Sequence, residues 1–291
     1  MVSAPRKNIL IAGCGDVGCR LGLRLVGEGH TVWGLRRRPE ALPAELRPLA
    51  ADLSDPETLR DLPPALDVVV YTTAADGHAD EAYRRAYVTG VDHLLNVLEA
   101  RPDPPKRFLF ASSTGVYGQT DGSWVDESSP VEPRSFTGRR VLEGEERCRA
   151  GTIPSVSLRL GGIYGPGRTR LIERVASGAA TCPAGEPVFT NRIHSDDAAG
   201  ALAHLTALAD PEPVYLGVDA EPADLCEVSR FLARRLGVAP PETVPRDPSY
   251  RRGGSKRCSS RRLQSSGFSF RYPTYREGYA ALISELRPGT G

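Results

Sequence analysis

The sequence predicts an α/β protein built on a doubly wound parallel sheet with a small C-terminal lobe. Two observations support this prediction. Short apolar segments alternate with longer segments of helical periodicity over the first two thirds of the chain, as expected for successive βαβ units. The first apolar segment runs directly into Gly13, Gly15 and Gly18, a spacing typical of a tight turn between a strand and a helix.

The seven predicted strands lie in order along the chain, with helices between them. They are expected at 8–13, 31–35, 49–52, 67–72, 107–112, 156–160 and 213–217. One intervening helix is predicted by apolar residues at helical spacing, which should cover one face of the sheet. These residues are Tyr87, Val91, Leu94, Leu95 and Leu98.

Two parts of unequal size are expected. Residues 1–165 should form the dinucleotide-binding core, completed by about 190–220. Glycine, proline and arginine become denser after about residue 165. We therefore expect residues 166–189 and 221–291 to form a small substrate-binding lobe.

Composition limits the range of functions. A chain of 291 residues can bury a complete core, and a net charge of +1 does not provide the concentrated positive field that nucleic acids or membrane surfaces require. The six cysteines show no paired C-x-x-C spacing, so we expect no metal site. No apolar run suits a signal peptide or a membrane span. The sequence indicates a cytoplasmic protein that binds a small-molecule substrate.

The glycine turn predicts a dinucleotide site of the Rossmann type. Gly13 permits a tight turn, Gly15 lets the backbone approach a pyrophosphate, and Gly18 allows the helix to pack closely. Asp16 and Val17 lie between them at the expected helix N-terminus, where N–H groups favour an anion.

Basic residues after the second strand favour NADP over NAD. An NAD site would place an acidic residue there, whereas this chain has Arg36, Arg37 and Arg38, whose guanidinium groups suit a 2'-phosphate. The alternatives are a solvated basic turn and NAD as the cofactor. Asp52 and Leu53 should face the adenine.

Five further segments resemble one family, the extended short-chain dehydrogenases/reductases, also called the NAD-dependent epimerase/dehydratase family. They are "YVTGVDHLLNVL", "FLFASSTGVYG", "LRLGGIYGPGR", "NRIHSDDAAGAL" and "SKRCSSRRLQSSGFSFRYPTYREGY". The resemblance implies that Ser113 is the active-site hydroxyl. Further cofactor contacts are expected at Thr73, Ala74, Ala75, Ser112, Leu160, Gly161, Gly162 and Ile163.

The chain departs from this family at the two residues that handle the proton. The family's Tyr-x-x-x-Lys falls on Thr137 and Val141, although the surrounding frame matches. Threonine is a far weaker acid than a phenol, and valine carries no charge. Arg139 and Arg140 are offset from Thr137 by about 200° and 300° around the helix, so neither takes the lysine's direction.

Two explanations remain open. Tyr117 or Tyr164 could supply the proton, or each could be a buried aromatic whose hydroxyl bonds to the backbone. The first explanation is an atypical NADP(H)-dependent oxidoreductase or epimerase-like enzyme acting on a small polar or nucleotide-linked substrate. The second is a non-catalytic NADP(H)-binding regulator or sensor protein.

Three residues are candidates for substrate binding. Arg168 and Arg192 could clamp an anionic group, although loop arginines more often bind solvent or acidic neighbours. His194 could donate to a substrate or cap the helix that starts after it. Members of this family often form homodimers through the two long helices beside the fifth strand. The resemblance therefore allows a homodimer, and the sequence leaves the oligomeric state open.

Overall fold

The computed structural model describes residues 5–246 and 254–286. Its strands, in chain order, are β1 (Asn8–Ala12), β2 (Thr31–Arg36), β3 (Arg47–Ala50), β4 (Val68–Tyr71), β5 (Arg107–Ser113), β6 (Trp124–Val125), β7 (Ser155–Leu160), β8 (Gly162–Tyr164), β9 (Thr181–Pro183), β10 (Phe189–Thr190), β11 (Arg192–His194), β12 (Val214–Gly217), β13 (Ala223–Asp224), β14 (Glu242–Val244) and β15 (Arg257–Cys258).

The helices alternate with these strands. They are α1 (Asp16–Gly27), α2 (Asp80–Arg84), α3 (Gly90–Glu99), α4 (Phe136–Ala150), α5 (Arg170–Ala176), α6 (Ser195–Ala207), α7 (Leu225–Leu236), α8 (Arg261–Ser265) and α9 (Tyr275–Leu286). A π-helical segment, Arg85–Thr89, joins α2 to α3. Short 3₁₀ turns lie at Pro39–Ala41, Pro56–Leu59 and Thr114–Val116.

The central sheet contains all seven predicted strands, so the predicted fold class is confirmed. Its seven parallel strands follow the order β12-β7-β5-β4-β1-β2-β3. Strand β1 pairs with β2 on one side and with β4 on the other, and Ala12 is opposite both Leu35 and Tyr71. The chain order therefore reverses at the carboxyl ends of β1 and β4, where open α/β sheets form a ligand crevice.

Apolar burial explains why these segments form the sheet. Every residue of β4 is buried, as is β1 from Ile9 onward, which is typical of strands covered on both faces. Helix α3 buries Val91, Leu94 and Leu98 completely. Tyr87, which the same periodicity predicted for this helix, instead lies in the π-helical segment and is half-buried.

The chain divides into two compact units. The first runs up to Val116 and includes Ser135–Arg159 and Ala199–Tyr215. The second contains Tyr117–Arg134, Leu160–Ala198 and the described residues from Leu216 onward. Boundaries between the predicted core and lobe stay a prediction.

The described part of the second unit combines short strand pairs with helices α5, α7, α8 and α9. Strand β6 pairs with β15, β8 with β11, β9 with β14 and β10 with β13. Helices α5, α7 and α9 enclose an apolar core that includes Tyr164, Val175, Leu232 and Tyr279. Among the described residues, no helix has both the length and the apolar character needed to cross a membrane.

Candidate functional site

A cavity of about 610 Å³ opens in the first unit at the carboxyl ends of β1, β2 and β4. It therefore lies at the point where the strand order of the sheet reverses. Eight of the predicted cofactor residues line it together, namely Gly13, Gly15, Arg36, Arg37, Asp52, Leu53, Thr73 and Ala74. Asp16, Val17, Gly18 and Ala75 are not among its lining residues.

The three glycines differ in their surroundings. Gly13 has a φ of +76°, and a Cβ atom there would lie 2.5 Å from the Thr73 Cα atom, so only glycine fits. At Gly18 a Cβ atom would lie 3.1 Å from Ile11 Cγ2, which reflects close packing of α1 on β1. At Gly15 the nearest atom would be 3.8 Å away. The backbone of Gly15 therefore has an open face.

Helix α1 begins without a side-chain cap. Gly15 occupies the N-cap position and offers no side-chain acceptor. The first-turn N–H groups of a helix have no partner within the helix and favour an anion. Beside this turn, the Thr73 Oγ1 atom is buried, and the Thr73 side chain interacts with the Tyr71 hydroxyl. These features fit a phosphate-bearing ligand.

Charged residues line the other end of the cavity. Arg36 ends β2, and Arg37 forms an exposed ion pair with Asp76 at 2.6 Å. Asp52 accepts hydrogen bonds from Ser54 N at 2.9 Å and Ser54 Oγ at 2.7 Å. Burial acts to raise the pKa of Asp52, but the Ser54 bonds and the charges of nearby arginines lower it overall. Asp52 is therefore ionised at neutral pH.

Several lining residues were not predicted as cofactor contacts. Arg85 and Ala86 come from the π-helical segment, and Ala82 comes from α2. Asp76 lies beyond β4, next to predicted residues. The α-helical periodicity predicted for residues 87–98 does not indicate that Arg85 lines the cavity. A π-helical segment turns its side chains to other directions than an α-helix would.

Ser112 belongs to a buried polar network in the first unit. Its hydroxyl donates to Glu145 Oε1 in α4. Arg159 in β7 donates to the same carboxylate from Nε at 3.0 Å and from a terminal nitrogen at 2.7 Å. The Ser112 side chain is thus engaged by α4, and its role as a cofactor contact stays a prediction.

Ser113 ends β5 beside this network. Its Oγ atom accepts a hydrogen bond from Gly115 N at 3.0 Å, which leaves the hydroxyl proton available to a substrate oxygen. Thr137 lies in the first turn of α4, where Ser135 caps the helix and bonds to the Thr137 hydroxyl at 2.8 Å. Val141, one turn later, is buried.

Three cations of the first unit that could replace the missing lysine have partners elsewhere. The Arg140 guanidinium binds Asp80 at 2.8 Å and Glu143 at 2.9 Å. Lys7 donates to the Thr206 carbonyl oxygen at 2.6 Å, and Lys106 pairs with Asp67 at 3.1 Å.

The two candidate tyrosines both lie in the second unit. Tyr117 is buried and its hydroxyl donates to the Asp126 carbonyl oxygen at 2.7 Å. This contact is the one expected if Tyr117 is a buried aromatic residue whose hydroxyl bonds to the backbone. Tyr164 stacks on Tyr279 with ring centres 4.2 Å apart, and burial raises the pKa of its phenol. The Tyr164 hydroxyl is buried without a hydrogen-bond partner among the described residues. An acid role for either tyrosine stays a prediction.

The predicted substrate residues occupy different environments in the second unit. His194 is buried, and its Nδ1 atom accepts a hydrogen bond from Asp196 N at 3.2 Å, as a helix cap would. Arg168 is exposed in the loop after β8. Arg192 is buried and contacts the Thr190 hydroxyl and the Tyr275 ring. Their substrate roles stay predictions.

The segment expected beside the nicotinamide connects β7 to β8. Leu160 ends β7, and Gly161 N donates to the Gly217 carbonyl oxygen at 3.0 Å. Gly162 N donates to the Asn191 carbonyl oxygen at 2.9 Å, and Ile163 continues into β8.

Sequence reasoning missed Asp219. This residue is buried in the second unit, and its backbone N–H donates to the Arg192 carbonyl oxygen at 2.7 Å. Burial raises the pKa of its carboxyl group to about 7, against the opposing charge of Arg192. No pattern in the surrounding sequence indicates that this aspartate is buried. Over the described ranges, no cluster of His, Cys, Asp and Glu residues could hold a metal ion.

Comparison with known proteins agrees with this geometry. The model of the NAD dependent epimerase/dehydratase family matches residues 9–214. Protein YeeZ of Escherichia coli is 31% identical over 92% of this chain and 97% of its own. A 3-diazoavenalumate denitrifying reductase of a Streptomyces species is 30% identical over 82% of this chain and 84% of its own. A solved epimerase/dehydratase-like protein from Methylobacillus flagellatus is 37% identical, with a TM-score of 0.82 over 97% of this chain and 100% of that one. This chain belongs to the NAD-dependent epimerase/dehydratase family.

Proposed function

We propose that this chain is an NADP(H)-dependent oxidoreductase or epimerase-like enzyme acting on a small polar or nucleotide-linked substrate. The observation that carries the proposal is the cavity of the first unit. An uncapped helix N-terminus lies at one end of it and an arginine-rich turn at the other, within about 610 Å³. Family membership supports a nicotinamide dinucleotide as the ligand.

The lining residues suit the two ends of such a dinucleotide. The open face of Gly15 and the first turn of α1 would bind the pyrophosphate. Asp52 and Leu53 would bind the adenine. Thr73, which lines the cavity beside the glycine turn, would lie next to the bound pyrophosphate.

Arg36 is the best candidate to bind a 2'-phosphate. Arg37 already pairs with Asp76 at 2.6 Å, so part of its charge is neutralised. Arg36 ends β2 inside the cavity, where the charges of Arg38 and Arg85 add to the positive field. A guanidinium binds phosphate through paired hydrogen bonds, which favours NADP over NAD.

When bound, the nicotinamide supplies or accepts a hydride. The chain's own contribution to the chemistry would begin with Ser113, whose hydroxyl proton can be donated to the reacting oxygen of a substrate. The Thr137 hydroxyl cannot act as the family's tyrosine does, because its pKa is far above that of a phenol. Tyr117 and Tyr164 stay the two predicted candidates for the proton donor.

The regulator hypothesis has less support. The Streptomyces relative is a reductase, and a further relative, 32% identical over 57% of this chain, is a dTDP-6-deoxy-L-talose 4-dehydrogenase. The named activities of these two relatives are redox reactions. Tight NADPH binding without turnover would revive the regulator hypothesis.

Fluorescence titration with NADPH and NADH tests the proposal. Arg36→Ala should weaken NADPH binding by about tenfold or more, the equivalent of about 1.4 kcal/mol for one lost charge-assisted contact, and should leave NADH binding unchanged. Arg60→Ala is the matched control, because Arg60 is exposed and pairs only with Glu57 among the described residues. Equal losses for both coenzymes would refute the preference for NADP. A screen of carbonyl compounds and sugar nucleotides then tests turnover.

A further inference from the structure

The π-helical segment Arg85–Thr89 has a structural cause in the first unit. Gly90 N donates to the Arg85 carbonyl oxygen, five residues earlier, whereas an α-helix would use the Ala86 carbonyl oxygen. The Tyr71 hydroxyl, at the end of β4, donates to the Ala86 carbonyl oxygen at 2.5 Å. A buried carbonyl group is nearly always hydrogen-bonded, so this contact stabilises the π-helical form.

Gly90 makes room for the Tyr71 hydroxyl. Tyr71 is completely buried, and a Cβ atom at position 90 would lie 2.7 Å from its hydroxyl oxygen and 3.1 Å from the Arg85 carbonyl oxygen. A side chain at this position would therefore displace the Tyr71 hydroxyl. Tyr71 and Gly90 together hold the π-helical segment in one arrangement, and that arrangement sets the direction of the Arg85 side chain.

Arg85 brings a positive charge from this segment to the cavity of the first unit. It lines the cavity together with Ala82 and Ala86, whereas the neighbouring Arg84 is not among the lining residues. Arg85 is exposed, and it forms no ion pair with the residues that the structure describes. Its guanidinium group is therefore free to bind a ligand in the cavity.

Arg85 lies at the end of the cavity where the adenine is expected. The predicted adenine contacts Asp52 and Leu53 line the same cavity, and a Cβ atom at Gly90 would lie 3.2 Å from the Leu53 Cβ atom. Burial acts to raise the pKa of Asp52, but the Ser54 hydrogen bonds and nearby arginine charges, that of Arg85 among them, lower it overall. The Arg85 guanidinium is therefore within electrostatic range of Asp52.

The side chains around Arg85 suit a flat ring better than a phosphate group. Leu53, Ala82 and Ala86 line this part of the cavity and have no polar side-chain atoms. The ionised carboxylate of Asp52 would repel a phosphate. A guanidinium is planar and stacks on aromatic rings. A neutral aromatic ring such as adenine suits this combination of one guanidinium with small apolar side chains.

We propose that Arg85 is a cofactor-binding residue whose guanidinium group stacks on the adenine ring of the dinucleotide, and that Tyr71 is a positioning residue that directs it there through the π-helical segment. Arg85 would then contribute equally to the binding of NADPH and NADH, because both contain this ring. Arg36 would instead distinguish the two by the 2'-phosphate. This inference rests on the proposed function, since it concerns how that function's cofactor is bound.

Fluorescence titrations of Arg85→Ala test the contact with the ring. At physiological ionic strength, where the longer-range effect of the Arg85 charge is screened, NADPH and NADH should each bind about five- to tenfold more weakly. Arg84→Ala is the matched control, because Arg84 is also exposed and does not line the cavity. It should change either affinity by less than about twofold. Calorimetry should show a matching loss for 5'-AMP, which carries the adenine without the nicotinamide.

The outcomes of these titrations separate two claims. A loss confined to NADPH would assign Arg85 to the 2'-phosphate and contradict stacking on the ring. Losses no larger than those of Arg84→Ala would show that Arg85 does not bind the cofactor. Failure of the wild-type protein to bind either coenzyme would instead contradict the proposed function, and the titration with 5'-AMP would still decide whether Arg85 binds the ring.

A double-mutant cycle tests the positioning role of Tyr71. Tyr71→Phe keeps the buried ring and removes the hydroxyl that bonds to Ala86. If Tyr71 acts through Arg85, Tyr71→Phe should weaken NADPH binding about threefold or more in the wild type and have almost no effect in Arg85→Ala. Equal losses in both backgrounds would contradict this role and indicate an effect through Thr73, whose side chain also interacts with the Tyr71 hydroxyl. The Arg85 titrations do not depend on whether Tyr71→Phe folds.

Discussion

Replacing Glu145 by alanine removes the counter-ion of a buried guanidinium. The Glu145 and Arg159 side chains are 1% and 4% exposed, and their charged atoms lie 2.7 Å apart. Breaking a buried pair by removing one partner costs about 3–5 kcal/mol. The Ser112 hydroxyl also loses its acceptor, which adds about 1 kcal/mol. We expect Glu145→Ala to lower the free energy of unfolding by about 4–6 kcal/mol.

Equilibrium urea denaturation of the ligand-free protein measures this loss. Glu143→Ala is the matched control, because Glu143 lies on the same helix in a partly exposed ion pair with Arg140, whose removal should cost less than about 1 kcal/mol. The double variant Glu145→Leu/Arg159→Met should recover most of the stability, since it leaves no unpaired charge. A loss below about 1 kcal/mol for Glu145→Ala would show that the network does not hold β5, β7 and α4 together.

Three further predictions follow from the same coordinates. Gly13→Ala should lower the melting temperature, because its Cβ atom would overlap Thr73 at a φ of +76°. Gly15→Ala should fold normally, because the nearest atom to its Cβ would be 3.8 Å away, and similar melting temperatures for the two variants would contradict this reasoning. Ser113→Ala should reduce kcat at least a hundredfold and leave the NADPH dissociation constant unchanged. A fall in kcat together with weaker NADPH binding would instead make Ser113 a cofactor-binding residue. Burial raises the pKa of Asp219 from 3.8 to about 7, so the folded state binds this proton more tightly than the unfolded state does. The free energy of unfolding should therefore fall as pH rises between these values, and Asp219→Asn should remove this contribution. Identical pH dependence in the variant and the wild type would contradict the raised pKa of Asp219.

Strand positions could be predicted because the central strands are buried on both faces. Continuous apolar runs such as those of β1 and β4 can be identified as strands from the local sequence alone. Their alternation with helical segments along the chain predicts a parallel sheet. The glycine turn could also be predicted from the sequence, because Gly13, Gly15 and Gly18 act through local geometry.

Residues that act through distant partners could not be predicted in this way. Glu145 meets Ser112 and Arg159 only because α4 packs beside β5 and β7. Burial of Asp219 and Lys256 depends on the tertiary structure of the second unit, and neither belongs to a periodic pattern. Arg85 reaches the cavity through a π-helical segment, which helical periodicity does not predict.

Isothermal titration calorimetry with NADPH and NADH tests the central claim most directly. We predict saturable binding of one NADPH per chain, with NADH at least tenfold weaker, and loss of that difference in Arg36→Ala. Absence of any heat of binding with the oxidised and reduced forms of both coenzymes would contradict the assignment of the first-unit cavity to a dinucleotide.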